Sequence, residues 1–270
     1  LQDGSVTAYV EAKDTAGNPL IVSVSVSKDA TIPVYTSSQI TVNSDNSIND
    51  NTKNDVTLSL ASTVNDETYK YWICDTRCTS TSSEADLSTC VSSAWCIYGG
   101  QLSGNGATQN NQLDTTNLQD GTITAYIIIT DAASNTIVVS KGASKDTVIS
   151  YTIGDVNLNS GSTYINSATK AAVGVSLANT VSGDTYIAWF CDSRCTATAS
   201  EADLTTCTAA STCIQSTSKV GASSNPITFT MDSTSLQDGV ITGVVQAKDA
   251  AGNEVMISMQ LTKEIVVPSI

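Results

Sequence analysis

Apolar and polar residues alternate strictly in stretches that recur along the chain. Val6, Ala8, Val10 and Ala12 face one way against Thr7, Tyr9, Glu11 and Lys13, and Ile241, Gly243, Val245 and Ala247 oppose Thr242, Val244, Gln246 and Lys248. A period of two is that of a half-buried strand. Each stretch follows a Leu-Gln-Asp-Gly string, at Leu1, Leu118 and Leu236, so the chain repeats with periods of 117 and 118 residues. Each closes on a turn that begins with Asp and ends with Asn, Asp14 to Asn18, Asp131 to Asn135 and Asp249 to Asn253. Asp, Gly and Asn there supply the side-chain caps and positive φ values of a tight reversal, so a hairpin is expected three times. Its second arm alternates as well, with Val22, Val24 and Val26 in the first copy and Ile257, Met259 and Leu261 in the third. The middle copy breaks step at Lys141, and the adjacent Gly142 predicts a bulge that swings the lysine outward.

Val56, Leu58 and Leu60, their counterparts Val173, Val175 and Leu177, and Ile227, Phe229 and Met231 give further short strands. Many short strands between turn signals predict an all-β chain of antiparallel β-sandwich modules. Aligning the copies divides it into residues 1–33, the last hairpin of an upstream module; two full modules at 34–148 and 149–265; and 266–270, the start of a next module or a linker. Two strands alone are marginally stable, so a longer array continuing in both directions is expected.

With 26 acidic and 12 basic side chains, the formal charge is −14 and the sequence pI about 4.1. That field repels phosphate backbones and anionic lipid, which argues against nucleic acid and membrane insertion. No apolar run reaches the roughly 20 residues of a spanning helix. The eight cysteines fall in two groups of four and the chain has no histidine, the pattern of disulfides made in an oxidising, extracellular compartment. No Asn sits in an N-x-Ser/Thr sequon.

Leu-x-Asp-Gly, an alternating strand, then Asp-x-Ala-Gly-Asn resembles the close of the immunoglobulin-like repeats of large bacterial surface proteins and adhesins. The resemblance covers about twenty residues of each repeat. It implies immunoglobulin-like sandwiches that act as tandem spacers holding a terminal binding domain off the cell surface, some of them binding calcium at module junctions. The four-cysteine blocks depart from the commonest, cysteine-free repeats.

Both blocks read C-x3-C-x11-C-x5-C: Cys74, Cys78, Cys90 and Cys96, then Cys191, Cys195, Cys207 and Cys213. Four thiolates on zinc are the alternative, but zinc knuckles favour C-x2-C pairs. Three connectivities exist per block. A chain that leaves a strand, makes a short helix and returns predicts the nested one, Cys74–Cys96 with Cys78–Cys90, and Cys191–Cys213 with Cys195–Cys207. The helix signal is Ser83-Glu84-Ala85-Asp86-Leu87 and its counterpart from Ser200 to Leu204. Trp72 and Trp189, mid-strand beside a cystine, read as core more readily than as sugar platforms. Trp95, whose counterpart is Thr212, is the candidate binding contact. The only arginines, Arg77 and Arg194, are placed to bridge Asp75 and Glu84, or Asp192 and Glu201. Calcium would need Asp14, Asp131 and Asp249 to meet Asp3, Asp120 and Asp238, yet such turns cap themselves, so no metal or cofactor is expected.

Without histidine there is no Ser-His-Asp or Cys-His pair, and no catalytic residue is assigned. The expected function is a structural spacer, filament or stalk segment of a cell-surface repeat protein, an adhesin, whose partners are neighbouring modules of its own chain. The alternatives are a module that binds glycan or protein through the cystine-stapled loop, and a non-catalytic domain of a secreted hydrolase.

Overall fold

The computed structural model describes residues 1–222 and 226–265. The expected module start at 266–270 lies outside the described residues. The chain forms two compact units, Leu1–Asp146 and Thr147–Ile270, and among the described residues no helix is long and apolar enough to cross a membrane.

The first unit opens with a hairpin, β1 (Gly4–Lys13) and β2 (Pro19–Lys28), ten residues against ten. The sandwich follows with β3 (Ile40–Val42), β4 (Ser47–Ile48), β5 (Val56–Leu60), β6 (Thr68–Asp75), α1 (Glu84–Ser92), β7 (Cys96–Ser103), β8 (Gln109–Leu113), β9 (Gly121–Thr130) and β10 (Thr136–Lys145). One sheet runs β4-β10-β9-β6-β7 and the other β3-β5-β8, with β4 the parallel edge partner of β10. Val56, Leu58 and Leu60 are fully buried against Ile123, Ile127 and Ile129, so the alternation read from the sequence is the inner face of each sheet.

The second unit repeats the plan with β11 (Val156–Leu158), β12 (Tyr164–Ile165), β13 (Val173–Leu177), β14 (Thr185–Asp192), α2 (Glu201–Ala209), β15 (Cys213–Gln215), β16 (Lys219–Val220), β17 (Ile227–Met231), β18 (Gly239–Lys248) and β19 (Glu254–Lys263). Its sheets are β12-β19-β18-β14-β15, with β16 also on β14, and β11-β13-β17.

In the central strands both faces are covered. The outer face of β18 buries Val244 and Gln246 as fully as its inner face buries Ile241 and Ala247, because the cystine excursion lies over it. The bulge expected at Gly142 does not form: β10 stays in register through Lys141 opposite Ala125 and Gly142 opposite Thr124. Lys141 is half-buried, and β4 pairs β10 only at Ser144 and Lys145, so at Lys141 the strand has a free edge past which a long side chain reaches water. The irregularity falls instead between β6 and β7 at Tyr71/Trp72, beside Gly99 and Gly100.

The Leu-Gln-Asp-Gly corner is built alike three times. Gly4, Gly121 and Gly239 have φ of 122°, 122° and 120°, a conformation open to glycine and costly for other residues. The preceding aspartate accepts from a lysine at the end of the second arm. Lys145 Nζ, 3% exposed, donates to Asp120 at 2.7 Å and to the Leu118 carbonyl at 2.8 Å. Lys263 is likewise buried on the Leu236 carbonyl with Asp238 at 3.6 Å, and Lys28 reaches Asp3 at 2.6 Å.

Candidate functional site

Each excursion leaves the end of a central strand and returns as the strand beside it. Cys74 and Cys96 stand opposite one another in the β6–β7 register, with Cα atoms 4.0 Å apart, and are bridged. Cys78 and Cys90 are joined further out at 5.5 Å. The second unit joins Cys191 to Cys213 and Cys195 to Cys207 with the same spacings. Close-set ligand groups occur among the described residues at Cys74, Cys78 and Cys96 and at their counterparts Cys191, Cys195 and Cys213, whose sulfurs are already spent in these bridges.

Between the inner cysteines the chain forms α1, capped by Ser83 Oγ accepting from the Asp86 amide at 3.2 Å, with Leu87 fully buried beneath. Ser200, Asp203 and Leu204 repeat this in α2. Both helices carry Glu and Asp in the first turn, the favourable end of the helix dipole for an acid. Trp72 and Trp189, 2% and 0% exposed, lie in the layer between sheet and excursion.

Arg77 joins Asp75 and not Glu84. Its backbone amide and Nε each donate to the Asp75 carboxylate at 3.0 Å, Nη2 donates there as well, and Nη2 also reaches the Ala94 carbonyl at 3.4 Å. Two residues of sequence separation already place the fork on the carboxylate, so the charge needs no distant partner. Asp75 further accepts from the Gln119 amide at 3.1 Å, which stitches the cystine block to the Leu-Gln-Asp-Gly corner. Arg194, Asp192 and the Gln237 amide repeat the arrangement. Burial pushes each aspartate's pKa up, and the guanidinium with two backbone amides outweighs it, leaving both below the ordinary carboxylate value.

Glu84 turns instead to Lys70 on β6, which donates to both its oxygens at 2.6 and 2.8 Å. Glu201 is met from the neighbouring strand by Gln246 Nε2 at 3.1 Å. Lys70 stands opposite Ile128 and Ile187 opposite Gln246, so the two units supply the same carboxylate with its donor from opposite members of one cross-strand pair.

The aspartates weighed for calcium serve their own turns and corners. Asp131 accepts from the Asn135 amide at 2.8 Å and the Asn135 side chain at 2.9 Å, and Asp14 accepts from Asn18 in the same way. The Asn135 amide group also donates to the carbonyls of Asp29 and Thr31, at 3.3 and 3.1 Å. The tip of the β9–β10 hairpin thereby holds the segment that links β2 to the sandwich.

Trp95 is 36% exposed and stands just before the last cysteine. The residue that sequence reasoning missed is Tyr98, 44% exposed, whose ring lies 5.0 Å from that of Trp72. Its signal was the β6–β7 register, which sets Tyr98 opposite Trp72. Trp72, Tyr98, Val91, Ser88 and Glu84 line an open pocket of about 160 Å³ between α1 and β7. Unit 2 carries Thr205, Thr208 and Gln215 at the positions of Ser88, Val91 and Tyr98. It opens a larger cleft, about 660 Å³, beside β17, where Lys219 Nζ lies 5.1 Å from the centre of the Phe229 ring.

No family model matches the chain, and no curated protein does. Adhesins are among its structural neighbours. It is similar to a Ca2+-stabilized adhesin that helps an Antarctic bacterium reach out and bind ice, at 18% identity and a TM-score of 0.45, with 99% of this chain and 58% of that one covered. It is also similar to a tetra-tandem repeat in the extending region of a large adhesion protein, at 18% identity and a TM-score of 0.34, covering 98% of this chain and 57% of that one. A third, a 1.5-MDa bacterial ice-binding adhesin, is 17% identical with a TM-score of 0.43, covering 98% of this chain and 76% of that one. The chain spans less than two thirds of the length of the first two.

Proposed function

We propose that the chain is an extracellular spacer segment of a cell-surface adhesin, non-catalytic, built from cystine-locked sandwiches in tandem. The observation that carries this reading is the stitching of each block: a buried Asp75 or Asp192 ties the cystine excursion to the corner from which the closing hairpin starts. Load entering that hairpin meets a covalent and charge-assisted clamp at its base. The clasp of Asn135 on Asp29 and Thr31 fixes the segment that enters the sandwich. The absence of histidine removes the usual nucleophile activators, in keeping with a mechanical role. One structural neighbour is described as Ca2+-stabilized; in this chain Asp14 and Asp131 are engaged by Asn side chains and Asp3 and Asp120 by Lys side chains, and the reading is of a metal-independent spacer.

The test is single-molecule extension of the chain with and without reductant. The outer cystine withholds a span of 22 residues from extension, so reduction should lengthen each module's unfolding step by roughly 75 Å. Steps that do not change on reduction, or modules that yield before the hairpins, would refute the clamp. Peptide mapping without reduction should recover the nested pairs, and free thiols or stoichiometric zinc would remove the cystines from the argument.

A further inference from the structure

The geometry points to a carbohydrate site on unit 1 alone: the pocket of Trp72, Tyr98, Val91, Ser88 and Glu84 accepts one neutral sugar ring of a glycan. The inference goes beyond the spacer reading and does not depend on it.

Three features define the occupant. Size comes first, since about 160 Å³ is below the 300–1,000 Å³ of sites for larger organic ligands and suits a single ring. Second is the division of the walls. Tyr98 offers an exposed ring backed by Trp72, with Val91 beside it, while Ser88 and Glu84 bring oxygen atoms to the same space. A sugar has that same division, C–H groups on one face and hydroxyls at its rim, and an aromatic wall with a few placed polar groups matches it. Third is charge. A carboxylate among aromatics would ordinarily favour a cation, but Lys70, outside the lining, sits on both oxygens of Glu84, so the charge of the rim carboxylate is already neutralised. The Glu84 carboxylate accepts from sugar hydroxyls and the Ser88 hydroxyl can donate to them, while a quaternary ammonium finds little to bind.

Unit 2 is the internal control. The same helix, cystines and buried tryptophan are present, yet Gln215 replaces the aromatic wall, Thr208 the apolar one, and Ile187 stands where Lys70 does. Its larger cleft offers no equivalent platform, because Phe229 is 4% exposed and Lys219 already lies over its ring.

Chemical-shift titration of the full chain with glucose, galactose, mannose and N-acetylglucosamine, and with tetramethylammonium as the cationic probe, tests this. At least one sugar should shift Tyr98, Val91 and Ser88 resonances saturably, with a Kd of about 1–10 mM, as a ligand of roughly a dozen heavy atoms allows. The Tyr98→Gln variant, which installs the residue found in unit 2 at a surface position, should weaken that binding at least 10-fold while leaving the spectrum of unit 2 unchanged. Glu84→Gln should weaken it several-fold and separate a polar rim from a merely apolar pocket. The proposal is overturned if none of the four sugars gives a saturable shift by 50 mM, if the shifts survive Tyr98→Gln, or if tetramethylammonium binds 10-fold more tightly than every sugar.

Discussion

β1–β2 and β9–β10 are paired alike, ten residues against ten, from Gly4 opposite Lys28 in one and Gly121 opposite Lys145 in the other. Both start at a Leu-Gln-Asp-Gly corner, both turn on a self-capped Asp, and both close the base with an Asp–Lys pair. Their side chains meet different surroundings. Val10 is 61% exposed and Val22 54%, whereas their counterparts Ile127 and Val139 are 0% and 9%. The turn and the register are therefore the same with and without burial, and the core around β9–β10 comes from the second sheet, from β6 on one flank and from the cystine excursion over the outer face. The apolar stripe Val6, Ala8, Val10, Val22, Val24 and Val26 aligns with the one that β9–β10 turns into its core.

The sharpest way to break the comparison is to truncate the same position twice. Ile127→Ala should cost roughly 2–5 kcal/mol of unfolding free energy, the range for emptying a packed site. Val10→Ala, its exposed counterpart, should stay within about 0.5 kcal/mol. Chemical denaturation of both variants decides it, and equal losses would mean that β1–β2 is buried in solution.

The corner gives the second test. Asp120→Ala leaves Lys145 buried with only a carbonyl for company. The loss should approach the 3–5 kcal/mol of a broken buried pair, reduced to about 2 because Asp120 is itself a third exposed. Asp3→Ala removes a pair exposed on both sides, and the denaturation midpoint should move by less than the roughly 1 kcal/mol ceiling for surface bridges.

What was legible in the sequence divides along the same line. The repeat, the alternation, the turn residues and the helix start at Ser83 are local signals, and each names an element the structure contains. Long-range company was harder to read. β8 was missed because Gln109, Asn111 and Leu113 replace the apolar Ile227, Phe229 and Met231 of β17, while backbone pairing to β5 keeps the strand in place. The bulge expected at Gly142 rested on treating Lys141 as an inward residue needing rescue, and a free strand edge makes that unnecessary. Arg77 was offered two carboxylates by sequence, and proximity along the chain decided for Asp75. Tyr98 gave no signal beyond its register, since an aromatic in a strand is ordinarily core.

A smaller effect separates the two regions by pH. Asp75 and Asp192 titrate below their ordinary value in the folded chain, so the stability they contribute is present above the unfolded value near 3.9 and is lost as pH falls through the lower folded one. The melting temperature should be flat from pH 8 to 5 and decline below about pH 4. Arg77→Gln should shrink that decline. Asp3, lowered by Lys28 and neighbouring hydrogen bonds, should titrate low as well, yet without moving the global transition, because the pair it makes opens with the hairpin alone. A transition that follows the Asp3 titration would show that β1–β2 unfolds with the sandwich.

The smallest expected effect is that of calcium, and it bears on both hairpins equally. A tightly held ion stabilises the folded state by mass action, which requires carboxylate oxygens free to receive it. Asp14 and Asp131 each spend their oxygens on the backbone and side-chain amides of an Asn four residues on, and that hydrogen bonding holds their pKa below the ordinary value. Asp3 and Asp120 are engaged by Lys28 and Lys145. Calcium would have to displace these donors, so its net gain should be under about 0.5 kcal/mol, a shift of no more than about 2 °C for a chain of this size. Scanning calorimetry with calcium and then with excess chelator measures it. A shift of 10 °C or more would mean that the turns are ligands first and caps second; in that case Asn135→Ala, which frees Asp131, should strengthen the calcium response instead of abolishing it.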